Sequence, residues 1–159
     1  MANDINVTVE SICSSLQGMQ LDHTFTVDHR WSGIVITGVA GCTTTFGQVL
    51  YLSSVDDRWE LAKADAEATS VDVKVAINVT DATSVDGGSI VLLEYGYVRD
   101  DSRYNFPDGG KVLYIDAATG GELTATRPSA NVLRIAGCAH DDADTIFFNP
   151  DWAWLSWLT

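Results

Sequence analysis

The side chains of this chain best suited to chemistry are its three histidines, its three cysteines and a set of aspartate-rich turns. His23, Asp28 and His29 put two imidazoles and a carboxylate close together, a donor set that can hold a divalent ion. Two histidines six apart, with no third ligand at helical or hairpin spacing, do not make a metal motif, and a polar surface strand is the expectation. His140 with Asp141, Asp142 and Asp144 crowds oxygen donors into one loop. A calcium loop needs ligands at alternating positions, a central glycine and a distal glutamate, so a solvated turn is expected there instead. A cysteine nucleophile needs a paired base, and the reading of Cys42 and Cys138 is a structural thiol. The stretch Gly38-Val39-Ala40-Gly41-Cys42-Thr43-Thr44-Thr45 follows a strand but lacks the lysine of a phosphate loop, and a strand, not a helix, follows it. There is no Gly-x-Ser-x-Gly elbow, and no carboxylate pair stands out from the turn acids. The chain is read as non-enzymatic, with no catalytic residue, metal or cofactor expected.

The elements that must position these residues are β-strands. Runs of Val, Ile, Thr and Tyr are broken by Gly, Asp, Asn and Ser, while helix signals are confined to Leu61–Ala68, where a short turn or alternating strand fits as well. With 159 residues, 46% of them hydrophobic, the chain can bury a core as one domain or two half-domains. A net charge of −13 argues against nucleic acid and anionic membranes as partners, because phosphate recognition needs a basic footprint. The acids fall mostly in turns (Asp56-Asp57, Asp100-Asp101, Asp141-Asp142 with Asp144), which predicts a repelling, solvated surface. Neither a signal-peptide layout nor an apolar run of membrane-spanning length is expected.

One phrase occurs twice. Gly47-Gln48-Val49-Leu50-Tyr51-Leu52, a turn and Trp59-Glu60-Leu61-Ala62 are matched by Gly110-Lys111-Val112-Leu113-Tyr114-Ile115, a turn and Gly121-Glu122-Leu123-Thr124. Val73–Ile77 and Val132–Ala136 follow, then Ser89–Leu93 and Thr145–Phe148, so the order persists through four elements. The reading is an all-β, barrel-like or β-tulip-like fold built from a duplicated β unit. Residues 1–30 form an extended N-terminal arm, and residues 31–159 form a β domain with repeats at about 47–98 and 110–152. Alternation places Val49, Tyr51, Val91 and Leu93 in the core, matched by Val112, Tyr114, Ile146 and Phe148. Two regions are left for contacts with other chains. The arm alternates Ile5, Val7 and Val9, a pattern that can add a strand to a sheet edge. The tail concentrates Trp152, Trp154, Trp157 and Leu158, which either fold back over the barrel or meet a partner.

The sequence of Gly-x-Val-Leu-Tyr-Leu, a turn, Trp59-Glu60-Leu61-Ala62-Lys63-Ala64-Asp65-Ala66 and then Val91-Leu92-Leu93-Glu94-Tyr95-Gly96-Tyr97-Val98 resembles modules of tailed-bacteriophage structural proteins. These are the β-tulip head-decoration (cement) proteins and tail-fibre domains, and the resemblance spans roughly residues 33–150. It implies a virion protein bound to the major capsid protein on the outside of the capsid, often as a homotrimer. Head- or tail-fibre attachment modules are the neighbouring possibility. A carbohydrate- or calcium-dependent binding module is the reading from a different class.

Overall fold

A computed structural model describes residues 21–71, 73–129 and 132–151, and the backbone of residues 154–156. The fold is all-β. Its strands are β1 (Arg30–Val39), β2 (Val49–Leu52), β3 (Trp59–Leu61), β4 (Val75–Asn78), β5 (Ser89–Arg99), β6 (Val112–Ile115), β7 (Leu123–Thr124), β8 (Val132–Ala139), β9 (Thr145–Phe148) and β10 (Trp154–Ser156). The Leu61–Ala68 segment becomes the end of β3 and a turn running into a short 3-10 segment, Glu67–Thr69. Glycines set the hairpin entries. Gly47, Gly87 and Gly110 have φ of +79°, +80° and +78°, each as the third residue of a tight turn that only glycine enters without strain. The turns close through Gln48 N–H to Thr45 O, Gly88 N–H to Val85 O and Lys111 N–H to Asp108 O.

The duplication is visible in the strand order, β3-β2-β4-β5-β9-β8-β6-β7. The second four strands repeat the first four in mirrored order, with β5 against β9 at the centre. Equivalent backbone bonds recur: Gly47 donates to Asn78 O and Asn78 to Gln48 O, as Gly110 donates to Ala139 O and Ala139 to Lys111 O. β1 covers one edge of β5 along its whole length, so β4 and β9 must share the opposite edge. They part at Glu94, the extra residue of a bulge where Ile34 pairs with Tyr95 but Val35 pairs with Leu93. The sheet therefore curls into a half-barrel. Its main core joins Val49, Ile77 and Leu93 from the first half to Leu113, Ile115, Ala139, Ile146 and Phe148 from the second. The far ends are tied together where Val49 donates to Gly121 O and Gly121 donates to Ala62 O. A second cluster, of Leu50, Trp59, Ala76, Ile90 and Leu92, fills the reverse side of the first half.

The expected core is corrected in one respect. Val49, Leu93, Ile146 and Phe148 are buried in it, and Tyr51 and Val91 pack half-buried against it. Val112, however, is 39% exposed, Tyr114 is only half-buried, and Leu113 and Ile115 take the core positions. The second copy presents the other face of its strand because Leu113 pairs with Gly137 and Gly137 with the buried Phe148, whereas Val112 pairs with Cys138 and Cys138 with Phe147 on the outer face. A single-residue slip moves every side chain of a strand to the opposite face.

Asn78 is fully buried and donates its amide to Thr44 Oγ1 and Thr45 O, tying β4 to the turn before β2. Tyr104 is also buried, and its hydroxyl donates to Gly47 O at 2.8 Å, bracing the first glycine turn. Burial raises that hydroxyl well above its usual pKa, so it remains a donor. Tyr104→Phe is expected to cost about 1 kcal/mol, or roughly 2–4 °C in Tm, read from thermal melts. A melting temperature equal to that of the parent would show that this bond does not brace the turn.

The tail returns to its own sheet. Trp154, Leu155 and Ser156 pair antiparallel with Arg134, Leu133 and Val132 of β8. Trp152, Trp157, Leu158 and the side chain of Trp154 lie outside the described residues, as do Ile5, Val7, Val9 and Cys13. Residues 21–29 hold to the domain by side-chain bonds: Asp22 N–H to Ser32 Oγ, Arg99 to Phe25 O, and Asp101 N–H to Asp28 Oδ1.

Candidate functional site

Where β5 ends, Asp100 turns the chain. Its Oδ1 accepts the amides of Ser102 and Arg103 and the Ser102 hydroxyl, a local arrangement that aspartate favours because its short side chain reaches amides two and three residues on. Asp100 is 1% exposed, a carboxylate held almost wholly inside the protein. The N-terminal segment lays Asp28 and His29 over this end. Asp28 Oδ1 accepts the amides of Asp101 and His29, each at 2.8 Å, and the Asp101 bond holds its carboxyl below the usual pKa. His29 has a φ of 54°, in the left-handed region, and its ring stacks on Phe46 with centroids 4.5 Å apart. Its Nδ1 lies 2.7 Å from Asp81 Oδ1, on the loop between β4 and β5. Burial works to lower the His29 pKa, but the Asp81 bond and the charges of Asp28 and Asp100 outweigh it and raise the value. His29, Asp81 and Asp100 border a cleft of about 280 Å³, also lined by Thr45, Phe46 and Arg103.

Of the histidine-aspartate set singled out in the sequence, the fold keeps Asp28 with His29 and sends His23 elsewhere. The His23 ring lies 5.4 Å from Tyr97 and 5.1 Å from His140, among aromatic rings that continue to Phe147 and Tyr95. The acidic turns are not simply a repelling surface either. Asp101, Asp142 and Asp144 converge on the Arg99 guanidinium, and Arg103 is clamped by Glu122 and Asp100. Asp81 and Asp100 were not singled out as site residues. They come together with His29 only through the fold; the sequence marks Asp100 as half of an acidic turn and does not mark Asp81. Cys42 and Cys138 are both half-buried and free, and burial pushes the Cys42 thiol up, away from nucleophile behaviour.

No known protein family, curated protein or solved structure matches the chain. The molecule's own surface is what carries a functional reading.

The most distinctive part of that surface is β1. It is ten residues long, and among the described residues it pairs with β5 alone, so one edge is open over its length. Trp31, Ile34, Val35 and Val39 are exposed on it, Ile34 at 46%, and Val27 is exposed just before it. No residue from 31 to 39 is charged, in a chain whose net charge is −13. Natural edge strands are ordinarily blunted with charge, proline or brevity, because an open row of amides and carbonyls recruits another chain. The apolar pair Ile34-Val35, adjacent instead of alternating, is the sequence signal for this surface.

Proposed function

We propose that the chain is a non-enzymatic structural protein of a tailed-bacteriophage virion, decorating and stabilising the outer capsid surface. It would be made in the host cytoplasm and sit on the particle as a homotrimer bound to the major capsid protein. The observation that supports this reading best is the open, uncharged edge of β1. An added strand from a partner would gain main-chain hydrogen bonds along the ladder and apolar contacts at Trp31, Ile34 and Val39, without meeting the acidic charge of the rest of the surface. The doubled β unit and the acidic composition agree with a protein built for packing, not for reaction or for nucleic acid.

The test uses purified particles and heads stripped of the protein. The full chain should rebind stripped heads at a fixed ratio to the major capsid protein, crosslink as a trimer there, and resist release by modest salt. Ile34→Glu and Val35→Glu sit on exposed positions, so both should fold and melt like the parent yet bind heads at least roughly tenfold more weakly. Undiminished binding by both variants would remove β1 as the contact. Recovery of the protein in the tail fraction alone would move the assignment to a fibre-attachment module. The aromatic run of Tyr95, Tyr97 and Phe147 on one sheet face favours a second reading, a carbohydrate-binding module, because such rings stack on sugar faces. Binding on a glycan array that Phe147→Ala abolishes, with no attachment to heads, would establish that reading instead.

A further inference from the structure

We infer that Asp28, His29 and Asp100 bind a divalent transition-metal ion, with Zn²⁺ the best match to the donors. The candidate ligand atoms of these three residues all lie within 4.8 Å of one another. His29 Nε2 is 3.7 Å from Asp28 Oδ2. Ligands that hold zinc at 2.0–2.2 Å on a tetrahedron stand roughly 3.5 Å apart, so small side-chain rotations complete the set.

The orientation of the imidazole, fixed by Asp81 from outside the ligand set, turns its second nitrogen toward Asp28. A carboxylate can only accept, so Nδ1, 2.7 Å from Asp81 Oδ1, carries the proton of that hydrogen bond. In neutral His29 the lone pair is then on Nε2, on the side of Asp28. This is the carboxylate–histidine–metal arrangement, in which an outer carboxylate fixes the tautomer and strengthens the inner nitrogen as a donor. Asp100 is almost wholly buried and borders the cleft; its Oδ1 is held by Ser102 and Arg103, and its Oδ2, paired with Arg103 Nε at 3.5 Å, is the oxygen left to face an ion. The cleft leaves room for water at the remaining coordination position. One imidazole and two carboxylates suit Zn²⁺ or Mn²⁺, whereas Ca²⁺ prefers a larger all-oxygen shell, and Zn²⁺ leads on intrinsic affinity. The ion would join three separate stretches: the segment before β1, the end of β5 and, through His29, the β4–β5 loop.

The experiment takes the full chain freed of metal with chelator and titrates ZnCl₂, MnCl₂ and CaCl₂ by calorimetry and thermal melts. One Zn²⁺ per chain is expected, with Tm raised by roughly 5 °C at a hundredfold excess over the dissociation constant. Mn²⁺ should bind more weakly and Ca²⁺ least. His29→Ala and Asp28→Asn should each weaken Zn²⁺ at least about tenfold while melting like the parent without metal, and Asp81→Asn should weaken it through loss of orientation. His140→Ala, which alters the other pair of neighbouring histidine rings, should bind as the parent does. No Zn²⁺-dependent shift in the full chain would overturn the site, leaving a protonated His29 as the cation there. Undiminished binding by His29→Ala, loss of binding in His140→Ala, or equal stabilisation by Ca²⁺ would overturn it as well.

Discussion

Replacing Arg134 with leucine is expected to destabilise the protein by about 3–5 kcal/mol and lower Tm by roughly 10 °C or more. Arg134 lies on β8 and is 1% exposed, the largest fully buried side chain among the described residues. Its Nη1 donates to Ser70 O at 2.6 Å, Val71 O at 3.2 Å and Val73 O at 2.6 Å, and its Nε donates to Asp151 O at 3.1 Å. One guanidinium thus gathers the carbonyls of the loop before β4 and the chain that leads into β10. Burial lowers its pKa while the charge of Asp151 opposes that, and guanidinium starts high enough to stay charged. Leucine fills part of the volume but supplies no donor, so several buried carbonyls lose their partner at once. Arg134→Lys should recover only a fraction, because an ammonium lacks the planar fork that reaches both sides. Urea and thermal unfolding of the three proteins decide the matter. A loss below about 1 kcal/mol for leucine would mean that the loop and the tail segment hold without this cross-link.

Gly96→Ala and Gly137→Ala are each expected to cost about 3 kcal/mol or more, and the first should detach β1 from β5. Both glycines face Phe148 across the ladder, one from β5 and one from β8. Their φ values of 142° and 152° belong to a region nearly closed to L side chains. A methyl at Gly96 would sit 2.1 Å from Ser32 O, and one at Gly137 would sit 1.9 Å from Phe147 O. Both obstacles are backbone atoms of paired strands, which cannot swing aside as a side chain can. Gly87→Ala is the matched control: φ is +80° there too, but nothing lies within 4 Å of the new methyl. It should lose only the conformational preference of glycine, about 1 kcal/mol. Hydrogen exchange at the β1 amides should accelerate in Gly96→Ala and remain slow in Gly87→Ala. Equal stabilities for the three alanine variants would refute the steric account.

Much of the architecture is local, and the sequence by itself determined it. The glycine turns at 47, 87 and 110 follow from a backbone angle that glycine alone takes freely, and they need no distant partner. Runs such as Ser89–Leu93 and Thr145–Phe148 are strands because branched and aromatic side chains suit a pleated surface. The repeated phrase fixed which strands are equivalent, and β2 with β6 and β4 with β8 occupy matching places in the order. Only the tertiary structure decided which face of each strand meets the core. The bulge at Glu94 inverts the alternation partway along β5, so the row that continues from Gly96 through Phe148 and Gly137 to Leu113 faces the core, which is why Leu113, not Val112, is buried. A bulge is a property of two paired strands, so one strand's sequence does not announce it. The same holds for charges. His29 finds Asp81, 52 residues on, and Arg99 finds Asp142, 43 residues on, because the curl of the sheet brings chain ends and loops together. Turn and strand preferences act over a few neighbouring residues, whereas contacts between loops depend on register and curvature summed over the whole sheet.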